Sequence, residues 1–274
     1  MEEAYSIKQD ISWFNWILSF VFDYVVGTKM GKNNWKMITL QNISDSIKKN
    51  GKFWIAFVGD SITSTEWVHP NWREIVEYVL KEELIDVFNG DWKTPSWGIR
   101  CFNFAYDGST SKDLLQKVDD IKMVKPDLVI NVGGGNDRVY GIDTEEYFKN
   151  TKKFIEELQT KVAWSTSIPA FSGEKNSEYE PYAVAVTEIP ELENLQIIDM
   201  FNIYKKFPLD KFFTFKSEEN QEEGLKEGDP DVWHPNQLGN AYIAKVILKE
   251  VFRIEFDPEK YISDTLLGEK TPGY

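Results

Sequence analysis

Hydrophobic positions along this chain alternate between two patterns. Short, unbroken apolar runs are separated by longer stretches in which apolar residues recur every three or four positions. Residues 53–58 (FWIAFV) are continuously apolar and stop at Gly59, as a strand buried on both faces does. Trp72, Ile75, Val76, Val79 and Leu80 then repeat at helical spacing, with Pro70 as a favoured first helical residue. Residues 100–104 read as a second strand, and Leu114, Leu115, Val118 and Ile121 mark the next helix. Residues 127–132 (DLVINV) form a third strand ending in Gly133, Gly134 and Gly135. Tyr147, Thr151, Phe154, Ile155 and Leu158 outline a third helix, followed by a strand over 161–165. A last strand falls near 195–198, and the final helix carries Ala244, Ile247, Leu248 and Val251 on one face. Five strands interleaved with helices predict a three-layer α/β/α sandwich around a five-stranded parallel sheet.

The flanks follow a different pattern. Residues 1–50 read as a helical N-terminal extension, 51–256 as the α/β domain and 257–274 as a loosely held tail. The stretch 217–229 is acidic and reads as a solvated loop. In residues 11–26 (ISWFNWILSFVFDYVV) twelve of sixteen positions are apolar or aromatic, but Asn15 and Asp23 interrupt them. A spanning helix wants about 20 apolar residues without charge. The opening Met1-Glu2-Glu3 is not the positive n-region of a signal peptide. The expectation is a buried or partner-packing helix, a route to oligomerisation, with membrane-surface contact the lesser alternative.

Composition narrows the partners. The 274 residues carry 31 basic and 45 acidic side chains, for a net charge of -14. Nucleic acid and anionic membranes both call for basic patches, so neither is an expected partner. The single cysteine, Cys101, cannot form an internal disulfide, and without a signal peptide the default location is cytoplasmic. One cysteine and two histidines leave few ligands for a zinc site. No metal and no cofactor are expected, although the carboxylates leave an all-oxygen cation site open.

In open α/β sheets, ligands bind beyond the carboxyl ends of the strands. The segments there are Gly59-Asp60-Ser61-Ile62-Thr63, then residues 103–110 with Gly108, then Gly134-Gly135-Asn136-Asp137. Ahead of the last helix stands Asp231-Val232-Trp233-His234-Pro235-Asn236. These four blocks, in this order, resemble the SGNH (GDSL-type) hydrolases, a flavodoxin-like fold. Ile62 stands where that pattern more often has leucine. The likeness covers residues 53 to about 252 and leaves the N-terminal extension unaccounted for. It implies a serine esterase with an acyl-enzyme intermediate. Ser61 would be the nucleophile, His234 its base and Asp231 the carboxylate that orients the ring. The oxyanion would be held by the backbone N–H groups of Ser61 and Gly108 and by the Asn136 amide.

The residue types suit that chemistry. A serine hydroxyl needs an adjacent base, and a histidine needs a carboxylate to fix its tautomer. Asp231, three residues before His234, can fold back onto the imidazole; Asp229 competes for the role. Pro235 disfavours helical geometry at His234 and keeps it on a loop. The Gly-x-Ser-x-Gly elbow of α/β-hydrolases is absent. Taken singly, each position has a plainer role. Ser61 could cap a helix, Asn136 and Asp137 could be turn residues, and Gly108 could be an ordinary turn glycine. Asp60 reads as a brace for the turn, His69 as structural and Cys101 as an inert core residue. Two aromatic stretches, residues 86–98 with Trp92 and Trp97 and residues 201–215, either line an apolar or sugar-stacking substrate cleft or pack against the N-terminal helix. The expected substrate is a small-molecule, sugar or lipid ester. An O-acyltransferase with the same residues and a catalytically silent binding protein of this fold are the alternatives.

Overall fold

The computed structural model describes residues 38–64, 68–217 and 226–274. The apolar segment 11–26 and most of the acidic loop lie outside the described residues. In chain order the elements are α1 (Leu40–Asn50), β1 (Phe53–Gly59), α2 (Trp72–Val87), α3 (Lys93–Gly98), β2 (Ile99–Asn103), α4 (Ser111–Gln116) and α5 (Val118–Val124). They continue with β3 (Leu128–Val132), α6 (Asn136–Val139), α7 (Thr144–Leu158), β4 (Lys161–Ser165) and α8 (Gly173–Thr187). The remainder are β5 (Leu195–Ile198), α9 (Met200–Tyr204), α10 (Gln237–Ile247) and α11 (Pro258–Leu266).

The five strands pair in parallel in the order β2-β1-β3-β4-β5. The central position of β1 and β3 explains their composition, since Ile55 to Val58 of β1 and all of β3 are buried. Successive β1 residues serve opposite faces. Ile55 and Phe57 join one core with α1, α2, α10 and α11; Ala56 and Val58 join a second with α4, α5, α7 and α8. The result is the expected three-layer sandwich, matched strand for strand to within a residue or two. The chain leaves β1 towards β2 on one side and returns to β3 on the other. The carboxyl ends of β1 and β3 therefore flank a topological switch point, where a doubly wound sheet opens a crevice.

Three boundaries differ from the sequence reading. The second helix starts at Trp72 rather than Pro70, because Asn71 is its cap. Asn71 Oδ1 accepts the Arg73 N–H and Glu74 Oε2 accepts the Asn71 N–H, a reciprocal capping box. The described end of the expected extension, α1, is part of the core, with Ile43 and Ile47 packed beside Phe53 and Ile55. Residues 258–266 are a helix with Pro258 and Tyr261 buried, not a loose tail. Among the described residues no helix is long and apolar enough to cross a membrane.

The turn after β1 depends on Gly59, whose φ is 146°. A Cβ there would run into the Val132 carbonyl oxygen of β3 and the Thr63 hydroxyl. Strain and overpacking together should make Gly59→Ala cost about 2–6 kcal/mol. Urea unfolding of the variant checks this, and an unchanged midpoint would contradict the close approach of β1 to β3.

Candidate active site

Ser61 lies in a tight turn directly beyond β1. The N–H groups of Thr63 and Ser64 both bond the Asp60 carbonyl, at 2.9 Å. The Asp60 side chain is buried and accepts the Ile62 N–H at 3.0 Å and the Gly134 N–H at 2.9 Å. Thr63 Oγ1 donates to the Val132 carbonyl at 2.5 Å. The turn carrying Ser61 is thereby bonded to both the end and the exit loop of β3.

His234 stands on the loop before α10, buried to 9% exposure. Asn236 caps that helix by accepting the Gly239 N–H, and Asn240 Nδ2 donates to the Pro235 carbonyl at 2.9 Å. His234 Nε2 is 2.9 Å from Ser61 Oγ, and Nδ1 is 2.7 Å from Asp231 Oδ2. The other Asp231 oxygen accepts the backbone N–H of His234 at 3.0 Å and of Trp233 at 2.9 Å. Asp231, not Asp229, thus reaches the ring; Asp229 instead accepts the Lys226 N–H. Burial pushes the Asp231 carboxyl up, but the bond and charge of the His234 ring outweigh it and hold the group below its ordinary value.

Gly108 and Asn136 complete the rim. Gly108 has φ 71°, and a Cβ there would press on the Tyr140 hydroxyl. No partner of the Ser61 or Gly108 N–H is found among the described residues. Asn136 opens α6 and donates one amide hydrogen to the Ser109 carbonyl at 3.1 Å, which leaves its second amide hydrogen over. Ser109 Oγ donates to the Gly59 carbonyl at 2.7 Å, tying the loop after β2 to β1.

Between these loops opens a cleft of about 50 Å³. Its lining includes Ser61, Asn136 and His234. Ile168, Pro169 and Ala170, beyond β4, also line it, as do Val139, Tyr179 and Trp233. The Trp233 indole N–H donates to the Tyr179 hydroxyl at 3.0 Å. Residues 165–170 carry no motif, and their only signal in the sequence is that they follow β4 at the same sheet edge as the other loops. Tyr179 had none, since α8 shows no apolar stripe.

Neither aromatic stretch singled out in the sequence lines the cleft. Trp92, which precedes α3, and Trp97, within it, are exposed, and Phe201, Tyr204 and Phe212 are core residues. His69 is exposed and paired with Glu74. Cys101 lies within β2, its thiol pushed up by burial. Among the described residues no group of three or more His, Cys, Asp or Glu could hold a metal ion.

Comparison with known proteins adds the following. The model of the GDSL-like Lipase/Acylhydrolase family matches residues 57–242. Among solved structures, a single-substitution variant of Axe2, an acetyl xylan esterase from Geobacillus stearothermophilus, superposes with a TM-score of 0.55. It is 20% identical over 75% of this chain and 97% of its own. Axe2 itself gives 0.54 at 21% identity, covering 75% and 95%. TesA gives 0.50 at 17% identity, covering 73% and 99%. No curated protein matches.

A third buried carboxylate, Asp137, is pushed up to about 6 by burial, against its bonds from Ser111 and with the charge of Asp60 adding to the rise. Its folded-state affinity for a proton exceeds the unfolded one, whose value is 3.8. The stability this group contributes is therefore fully present below about pH 4 and lost as pH rises through about 6. Urea unfolding of wild type and Asp137→Asn should differ by an amount that slopes between those limits and is flat outside them. A difference that is flat throughout would contradict the raised value.

Proposed function

The chain belongs to the GDSL-like lipase/acylhydrolase family, and we propose that it hydrolyses short acyl esters, acetyl esters foremost, through an acyl-enzyme on Ser61. The SGNH-type esterase fold is the setting, and one observation carries the reading. The Ser61–His234–Asp231 chain of 2.9 and 2.7 Å contacts stands at the edge of a cleft between donor-bearing loops.

In this mechanism Ser61 Oγ attacks the ester carbonyl while its proton passes to His234 Nε2. Asp231 keeps the Nδ1 proton in place and stabilises the imidazolium that forms. The developing oxyanion takes hydrogen bonds from the N–H groups of Ser61 and Gly108 and from the amide of Asn136. Donors held ready in this way need no reorganisation as charge develops, and each is worth about 3 kcal/mol. The alcohol leaves with the proton from His234. Water then attacks the acyl carbon, gives its proton to His234, and the acid is released as Ser61 recovers its own.

Acyl size follows from the cleft. A small cleft of about 50 Å³, lined by Ile168, Pro169 and Ala170, suits an acetyl group better than a long chain. The half-buried Trp233, backed by the buried Tyr179, offers the cleft an aromatic surface of the kind on which a sugar ring stacks. The structural likeness to an acetyl xylan esterase is in keeping with an acetylated carbohydrate.

The test compares p-nitrophenyl acetate, butyrate and octanoate with wild type, Ser61→Ala, His234→Ala and their double variant. Each single variant should lose at least about 10³-fold in kcat, and the double variant should lose no more than the worse single. Asn136→Ala should lose about 10²–10³-fold in kcat. Acetate should be turned over faster than octanoate. Activity that survives Ser61→Ala would end this mechanism; a preference for octanoate would end the acetyl assignment alone.

A further inference from the structure

An oxyanion hole built from three loops works only if the loops are held in register to within about 0.5 Å. Ser61 is held by its own turn and by Asp60. Gly108 and Asn136 sit on separate loops, after β2 and β3, and their mutual placement needs another cause. One bond joins them through the Asn136 amide and the Ser109 carbonyl. Asp137, next to Asn136, and Ser111, three positions after Gly108, supply a second and stronger one.

Asp137 follows Asn136 and is fully buried. Its carboxylate receives the backbone N–H of Ser111 at 2.9 Å to one oxygen and 3.2 Å to the other. It also receives the Ser111 hydroxyl at 2.5 Å. Ser111 is the first residue of α4, three positions after Gly108. Its N–H is one of the groups a helix start leaves without an intrahelical partner. The hydroxyl is aimed from the other side, because Asn150 Nδ2 of α7 donates to the same Oγ at 3.2 Å. Ser111 Oγ thus accepts from Asn150 and gives its own proton to Asp137.

We propose that Asp137 is a positioning residue for the reaction: through Ser111 it clamps the Gly108 loop against Asn136 and so sets the spacing of the oxyanion donors. This rests on the serine esterase reading above and extends it to a residue that touches no substrate. A carboxylate suits the place because two donors converge on it. An asparagine keeps one acceptor oxygen and puts an N–H₂ at the other position, so that it gives up either the hydroxyl bond or the shorter N–H bond, and the charge with it.

Protonation has a similar effect, since a neutral carboxyl gives up acceptor capacity. Of the groups facing Asp137, Ser111 favours its ionisation through both of its bonds and is outweighed by burial. Asp60 from the end of β1 repels it, and Tyr147 of α7 and Tyr182 of α8 feel its charge in turn. Arg138, next in the chain, is engaged with Glu178. The clamp therefore loosens as pH falls through about 6, above the ordinary range of a carboxylate.

The experiment uses steady-state hydrolysis of p-nitrophenyl acetate by the full chain. Asp137→Asn should lower kcat by about 10-fold or more while KM moves less than about twofold, the mark of an interaction felt only in the transition state. Ser111→Ala, which removes the hydroxyl and keeps the N–H, should show a smaller loss of the same kind. The double variant should lose no more than Asp137→Asn alone, because the two act as one unit. The acid limb of the wild-type kcat/KM profile should contain one more ionisation than that of Asp137→Asn. Unchanged kcat in a cooperatively folded Asp137→Asn would overturn the clamp, as would additive losses in the double variant. Should Asp137→Asn fail to fold, Ser111→Ala decides, and an unaltered kcat there overturns the proposal. Retention of activity by Ser61→Ala would instead remove the esterase mechanism and is read separately.

Discussion

The arrangement around the cleft depends on one buried carboxylate that serves two loops at once. Asp60 accepts N–H groups from Ile62 in its own turn and from Gly134 beyond β3. Burial pushes its pKa up, and the backbone bonds from Gly134, Ile62 and Gly135 pull against that rise. A carboxylate taken out of water must recover its hydration from fixed donors, and those donors here are the two loop backbones. The switch point between β1 and β3 is therefore more than an opening in the sheet. It is bonded across, and Ser61 sits on the bonded side.

The electrostatics of the cleft are local rather than global. A chain with a net charge of -14 has no overall field that would favour a developing oxyanion. What stands near Ser61 is a set of short-range dipoles. They are N–H groups at the loop turns, one amide, and an imidazole whose far side faces a carboxylate held below its usual pKa. Such groups act over a few ångströms, where the surrounding low dielectric gives them weight and surface charge contributes little.

Much of this was legible in the sequence, for a physical reason. Strands buried on both faces must be continuously apolar, so 53–58 and 127–132 announced themselves. The blocks after β1, β2 and β3 and before α10 were legible because turns and reacting groups admit few residue types. The walls of the cleft were not. Helix α8 buries Tyr179, Ala183, Ala185 and Val186, carries Pro181 inside, and starts with GEKNSEYE. Its buried positions make no stripe, and nothing in its composition marks Tyr179 as facing a site. The aromatic residues of 201–215 were conspicuous for the opposite reason. They are core residues whose clustering follows from packing, with Tyr204 and Phe212 rings 5.4 Å apart and the Tyr204 hydroxyl bonded to the Gly239 carbonyl.

This division follows from what each part of the site must do. In the proposed mechanism, moving a proton needs a particular side chain at a particular atom, so Ser61, His234 and Asp231 leave a signature of type and spacing. Bounding the proposed acyl group needs only shape, and shape can be supplied by Ile168, Pro169 and Ala170 or by other small apolar residues with equal success. Asp137 lies between these cases. It is bound by chemistry, because its two carboxylate oxygens take both donors of Ser111, yet its partner is twenty-six positions away on another loop. A residue of that kind reads as a turn aspartate until the fold brings its partner into contact, and the pairing is a property of the sheet order rather than of the local sequence. The β2-β1-β3 arrangement sets the loop after β2 and the loop after β3 on either side of the same strand end. That adjacency lets two turns, unremarkable apart, hold each other in place.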